Sequence, residues 1–553
     1  MIKIEIFSKN GKLLKKDFLN LKKKEFKIIK INKRKIEASE EILNLKFKIP
    51  IIDIHGYWTP DIFLPDMELK WEIKLLSASN INFPFICFVN QSLKNRFAFG
   101  STNLIDDSIL VAKINQKDGT YDIDFNIAIC KETEEFELVF DLRDKIWTEI
   151  INDFRKKIVP LDLYYPKEAY LPVYCSWYAF HADLNQEKIE KQIKIANALG
   201  FKTIIIDDGW CFDEKKRVSP ETIENWYENI GDWEISKSKF PNFKQHIEKV
   251  KKFFGMKYML WIAPFLIGEK SKIYKENKIK FVSSEKHEGY RLIDPEDIKN
   301  IKTIFENILK IFKEYKLDGL KIDFIDIIKP SLEKPKGRII YEIVKNFIEE
   351  LKEINSSCLI EFRQKYATPI NLNLATQFRA SDVPFDFLGN LNRIAHIRLC
   401  LGDKVPVHSD PVFWCFEESP LNVAKHMIVS LTGVPMISMD LNKLSQKHRK
   451  IIRTYINFYL KNLEIFKNGK WQINYGTGFI KSISVCYGSK MINFLLNEEC
   501  GEKLKKGFEK EIWFLNLGDK PIFIENSITF DFYGNHYKKN IIPPGGFGYL
   551  SHK

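Results

Sequence analysis

Carboxylates close four apolar runs of this 553-residue chain: Asp207 and Asp208 after Ile204-Ile205-Ile206, Asp323 after Leu320-Lys321-Ile322, Asp382 in Arg379-Ala380-Ser381-Asp382, and Asp410 in His408-Ser409-Asp410. A charged group at the end of an apolar run loses hydration and gains no packing. One such residue reads as a helix cap or a loop anchor; a set that converges on one mouth reads as a site. Paired carboxylates across a pocket suit two reactions. One is glycosidic cleavage, in which one carboxylate attacks the anomeric carbon and the other protonates the leaving oxygen. The other is hydrolysis assisted by a divalent metal. Lys321 lies two residues before Asp323, so in a strand both face one way. Its ammonium would keep Asp323 ionised, as a nucleophile requires, and would repel a metal.

The elements that must position these residues read as a (β/α)8 TIM barrel. Candidate strands lie at 173–177, 203–207, 257–263, 290–293, 319–324, 358–363, 376–380 and 405–409, with 281–283 competing for the fourth place. Amphipathic helical stretches at 186–198, 297–315 and 337–354 lie between them. Near-continuous apolar strands separated by helices mark a parallel sheet covered on both faces, and in such barrels the active site sits at the C-terminal strand ends. The barrel is expected over residues 166–465. Residues 1–165 alternate like an N-terminal β-sandwich, and 466–553 like a small antiparallel C-terminal β-sandwich.

The bulk numbers narrow the function. The net charge of +13 comes from lysine runs such as Lys22 to Lys24. No helix-turn-helix, RNA-recognition or zinc-finger pattern accompanies them, so they read as solvated surface and no nucleic-acid partner is expected. No apolar run is long enough for a membrane span. Nine scattered cysteines without a CxxC pair read as reduced thiols, and the expected location is cytoplasmic.

Taken in order, Asp207-Asp208-Gly209-Trp210, Gly231-Asp232-Trp233, Trp261-Ile262-Ala263-Pro264 and Lys321-Ile322-Asp323 resemble the melibiase-type α-galactosidases of glycoside hydrolase family 36, which share a clan with family 27. The resemblance spans about residues 168–440, and the flanking β regions fit the family's layout. It implies a retaining exo-α-galactosidase acting on an oligosaccharide without metal or cofactor. Asp323 would be the nucleophile and Asp382 the acid and then the base, with Asp386 as its rival. Asp207 and Asp208 would accept bonds from the 4- and 6-hydroxyls, and Lys321 and Arg379 would bind hydroxyls near the 2- and 3-positions. Trp177 and Trp261 would form apolar walls, and Trp58 would reach over from the sandwich. The two aspartates should face each other across ~5–6 Å, with the acid pushed up in pKa by burial and by the charge of Asp323.

The sequence departs from the family on the strand expected to be sixth. Glu361-Phe362-Arg363-Gln364 stands where familiar members carry a Gly-rich turn. Glu361 and Arg363 would either touch the substrate or form a salt bridge at the rim, and His408 and Asp410 raise the same question. These residues leave the sugar open: an α-N-acetylgalactosaminidase or a raffinose- or stachyose-synthase-like transferase would use the same mechanism. A carbohydrate-binding protein on an inactive barrel and a metal-dependent hydrolase are the rivals from other classes.

Overall fold

The structure, a computed structural model, describes all residues except 21–22, 34–41, 161–162, 277, 497–510 and 552–553. Its first part is two packed antiparallel sheets. Six strands (Leu13–Leu19, Ile2–Ser8, Ile42–Pro50, Thr120–Ala128, Ser108–Asn115 and Glu72–Ser77, in spatial order) face five (Phe26–Asn32, Glu135–Asp141, Asn95–Ser101, Phe85–Val89 and Gly56–Trp58). Period-2 patterning explains the packing. Ile2, Ile4 and Ile6 point inward with Leu43, Leu45, Phe47 and Ile49, and the Phe47 ring lies 5.5–5.6 Å from those of Phe97, Phe99 and Phe140.

The centre of the chain is a closed parallel barrel. Its strands are β1 (Val173–Cys175), β2 (Thr203–Ile206), β3 (Lys257–Ile262), β4 (Gly319–Ile322), β5 (Leu359–Arg363), β6 (Gln377–Arg379), β7 (Val407–His408) and β8 (Met436–Ile437). Each pairs in parallel with its neighbour, β8 pairs with β1, and a bridge from His408 to Val434 closes the ring. Helices α1 (Gln186–Leu199), α2 (Phe243–Glu248), α3 (Ile298–Glu314), α4 (Gly337–Ile354), α5 (Phe387–Leu401), α6 (Pro420–Ser430) and α7 (Gln446–Lys461) follow in the connections. None of the helices is long and apolar enough to cross a membrane, among the described residues.

Two expectations about the barrel are corrected. Tyr290–Leu292 is not its fourth strand; it pairs antiparallel with Leu266–Gly268 in a separate hairpin beyond β3. A short apolar run bears no mark of which sheet it joins. The missing strand is Met436–Ile437, two residues long and so invisible to periodicity. Asp323 therefore closes strand four, Glu361 and Arg363 lie on strand five, Arg379 ends strand six, and His408 lies on strand seven. Neither change moves a candidate residue away from the strand mouths.

The C-terminal part is a six-stranded sheet with a two-stranded annex. It is not wholly antiparallel, because Lys490–Leu495 and Glu511–Asn516 run parallel. The separation between them in sequence is long enough for the crossover that parallel pairing needs.

The N-terminal sandwich buttresses the barrel mouth. Asn80 Nδ2 donates to the carbonyls of Ile325 and Ile328, at 2.9 and 2.8 Å, in the loop just after Asp323. Asp107 accepts from the backbone N–H groups of Gly337 (2.6 Å) and Lys336 (3.2 Å) at the start of α4, and from Ser331 N at 2.8 Å in the loop before it. The donors of Lys336 and Gly337 are orphans of a helix N-terminus, satisfied from the sandwich. Asp107→Ala should lower the free energy of unfolding by about 2–3 kcal/mol, read from urea denaturation; an unchanged midpoint would show that water replaces the carboxylate without loss.

Candidate active site

At the C-terminal mouth of the barrel lies a small cavity. Its polar lining comes from β2 (Asp207, Asp208), β4 (Lys321, Asp323), β5 (Arg363) and β6 (Arg379, Asp382), and its aromatic lining includes Trp177, Tyr178, Tyr227, Trp261 and Phe324. A pocket with aromatic walls and a few convergent polar groups suits a small polar ring.

Asp323 follows β4 and is buried. Trp261 Nε1 donates to its Oδ2 at 3.2 Å, and Arg363 Nε lies 3.3 Å from Oδ1. Burial alone would raise its pKa, but Arg363, Lys321 and Arg379 together hold the carboxyl well below the usual range. It is therefore ionised at any physiological pH. Lys321 does not bond it directly; its ammonium meets Asp207 Oδ2 at 2.6 Å, and that oxygen also accepts from Cys175 at 3.2 Å.

Asp208 is the more available acceptor. Its Oδ2 takes a bond from Trp226 Nε1 at 2.8 Å, while its buried Oδ1 has no protein partner. Burial pushes its pKa up to about 7. An unpaired buried carboxylate oxygen in a cavity is a place for a ligand hydroxyl.

Asp382 lies at the rim, with its side chain 55% exposed. Arg379 Nη1 donates to its Oδ1 at 2.9 Å, and Arg363 Nη1 is 3.9 Å from Oδ2. Here the structure reverses an expectation. Burial would raise the pKa of Asp382, and so would the charge of Asp323, but the two arginines outweigh them and the carboxyl sits below its ordinary value. Its rival Asp386 is not in the cavity; its side chain caps α5, accepting from Leu388 N at 2.9 Å.

Beneath the floor, the remaining candidates hold Arg379 in place and do not reach the cavity. Asp410, fully buried, accepts from Arg379 Nη1 at 2.6 Å and from Val383 N at 2.7 Å, and burial raises its pKa to about 7. Glu361 accepts from Gln377 Nε2 at 2.8 Å, 3.6 Å from Arg379 Nε and 3.7 Å from His408 Nδ1. His408 Nε2 faces the Ala169 carbonyl at 2.7 Å, and burial takes its pKa down to about 4. Glu361 and Arg363 thus share the inner face of β5 at different depths, and only Arg363 reaches the cavity. Trp58 does not reach it either: it is fully buried against Phe85, Trp147 and His396, part of the core that joins sandwich and barrel.

Several lining residues escaped the sequence. Tyr178 adjoins Trp177, Tyr227 lies in the loop before Gly231-Asp232-Trp233, and Phe324 follows Asp323 directly. Adjacency to the recognised motifs was the available signal.

Residues 147–351 match the family model described as Melibiase. Over that stretch the chain is similar to the melibiase family. Within known relatives, α-galactosidase Mel36A of Lactobacillus acidophilus is 29% identical over 155 residues, 27% of this chain and 20% of that protein. α-Galactosidase AgaA of Geobacillus stearothermophilus is 28% identical over 102 residues, 18% of this chain and 13% of that one. The aligned stretches thus span no more than about a fifth of those relatives. The fold match is far longer. The crystal structure of the family 36 α-galactosidase AgaA superposes with a TM-score of 0.64 at 12% identity, over 99% of this chain and 89% of that one. The galactosidase domain of the α-galactosidase-sucrose kinase AgaSK gives a TM-score of 0.64 at 12% identity, over 99% and 88%.

Proposed function

We propose that this chain, similar to the melibiases over residues 147–351, is a retaining exo-α-glycosidase that removes terminal α-D-galactosyl residues from oligosaccharides by double displacement. The observation that carries this reading is that Asp323 and Asp382 line one cavity with Asp208, whose buried oxygen has no protein partner. Asp323, held ionised, would attack the anomeric carbon. Asp382, at the open rim, would protonate the departing oxygen and then deprotonate water. Asp208 would take sugar hydroxyls, with Asp207 fixed beside it by Lys321, and Trp177 and Trp261 would wall the ring. Arg379, gripped by Asp410, would orient Asp382 as well as face the sugar. Among the structural relatives, variants of AgaA have been solved in complex with raffinose and with stachyose, oligosaccharides of the class proposed here.

A panel of nitrophenyl α-glycosides, followed by NMR to fix the product anomer, tests the proposal. The expected result is turnover of the α-galactoside at least about 100-fold above the α-glucoside, with the α-anomer released first and undiminished activity in a chelator. Preference for the 2-acetamido sugar, transfer to sugar acceptors in place of hydrolysis, release of the β-anomer, or loss of activity to the chelator would each overturn part of it.

A further inference from the structure

Arg363 is built into the reaction centre. From behind, its Nη2 donates to the buried Asp326 at 3.0 Å, and its guanidinium lies 4.8 Å from the centre of the Phe324 ring. Phe324 holds a left-handed backbone, φ 58°, a conformation that is strained for a bulky residue and persists only where its surroundings impose it. Tyr227 and Trp261 pack edge-on against its ring, with centroids at 5.5 and 6.4 Å. Fixed in this way, the guanidinium presents Nε to Asp323 at 3.3 Å and Nη1 toward Asp382 at 3.9 Å. Its Nε makes no hydrogen bond of good geometry, although it is buried.

Resting on the glycosidase reading, we propose that Arg363 is a positioning residue for both carboxylates: one anchored positive charge lies between nucleophile and acid and favours the ionised form of each. In the first displacement the Asp382 O–H gives its proton to the glycosidic oxygen. The bond from that oxygen to the anomeric carbon breaks with its electron pair, and an Asp323 oxygen forms the new bond. Arg363 opposes the protonated form of Asp382 that this step needs. In the second displacement it favours Asp323 as the departing carboxylate and Asp382 as a base awaiting the proton of water. The groups facing Asp382 are Arg379, Arg363 and Lys321 on the cationic side and Asp323 on the anionic side, with Asp410 and Tyr178 behind Arg379. Cations prevail, and Arg363 is the one that also touches the nucleophile.

The test is the pH dependence of kcat/KM for an α-galactoside with a sugar leaving group, which needs the proton of Asp382, in the wild type, Arg363→Lys and Arg363→Met. In Arg363→Met the alkaline limb should move up by about one pH unit, and in Arg363→Lys, which keeps the charge, by less than about 0.3 unit. A limb that stays in place in Arg363→Met, or moves equally in both variants, overturns the proposal. A second readout does not depend on turnover: the carboxyl ¹³C signal of Asp382, assigned against Asp382→Asn, should titrate at higher pH in Arg363→Met. If the wild type cleaves no α-glycoside, the glycosidase reading fails, and this titration alone decides where the charge of Arg363 acts. Should Arg363→Met fail to fold, Arg363→Gln takes its place with the same two readouts and the same expected direction.

Discussion

Asp323→Ala is expected to reduce turnover of an aryl α-galactoside on the order of 10⁴-fold or more, because removing a covalent nucleophile removes the path itself. The surroundings sharpen this expectation. Asp323 is the anionic partner on which Arg363 closes at 3.3 Å, with Lys321 and Arg379 also pulling on it. Alanine leaves a small anion-sized space edged by positive charge. Added azide should enter it, attack the anomeric carbon directly and restore measurable turnover. A single displacement on an α-glycoside inverts, so the product should be the β-glycosyl azide, identified by NMR. The variant's melting temperature and circular dichroism separate a lost nucleophile from a lost fold, a needed control because an unpaired buried charge is destabilising. Activity above about one-tenth of the wild type in a folded Asp323→Ala protein, or an α-azide product, would remove Asp323 from the nucleophile's place.

How much of this site could be read from the sequence depends on what each feature rests on. The strand mouths are local: an apolar run followed by Asp-Asp, Lys-x-Asp or Arg-x-x-Asp places a carboxylate at a barrel end whatever the strand's number. That is why misassigning Tyr290–Leu292 and missing Met436–Ile437 shifted the count without moving the site. Trp58 shows the opposite case. An aromatic residue in Gly-Tyr-Trp-Thr-Pro suits a pocket wall or a core equally well, and the choice was made by Trp147 and His396, far away in sequence. The pKa of Asp382 is also non-local. Arg379 lies three residues before it and was foreseen as a sugar ligand. Arg363 arrives from the neighbouring strand, and the two together reverse the direction expected from Asp323 alone. Register across β5 and β6, where Arg363 pairs with Arg379, is the fact that brings both guanidinium groups to one carboxylate.

Asp382→Ala should produce a different signature, one that depends on the leaving group. A nitrophenolate departs without help, so the first displacement on a nitrophenyl α-galactoside should slow by no more than about tenfold. A sugar leaving group needs a proton, and its cleavage should fall about 10³-fold. The second displacement loses its base in either case, so the glycosyl-enzyme on Asp323 should accumulate with the activated substrate and show as a burst of nitrophenol. Azide needs no base. It should relieve the block by attacking the intermediate from the face the leaving group vacated, and two inversions then give the α-glycosyl azide, the opposite anomer from that expected for Asp323→Ala. Asp386→Ala is the control: its carboxylate caps α5 through Leu388 N, so it should cost some stability and leave the leaving-group dependence unchanged. Equal losses on activated and unactivated substrates in Asp382→Ala, or the same azide anomer from both variants, would show that the two carboxylates do not divide the work as acid and nucleophile.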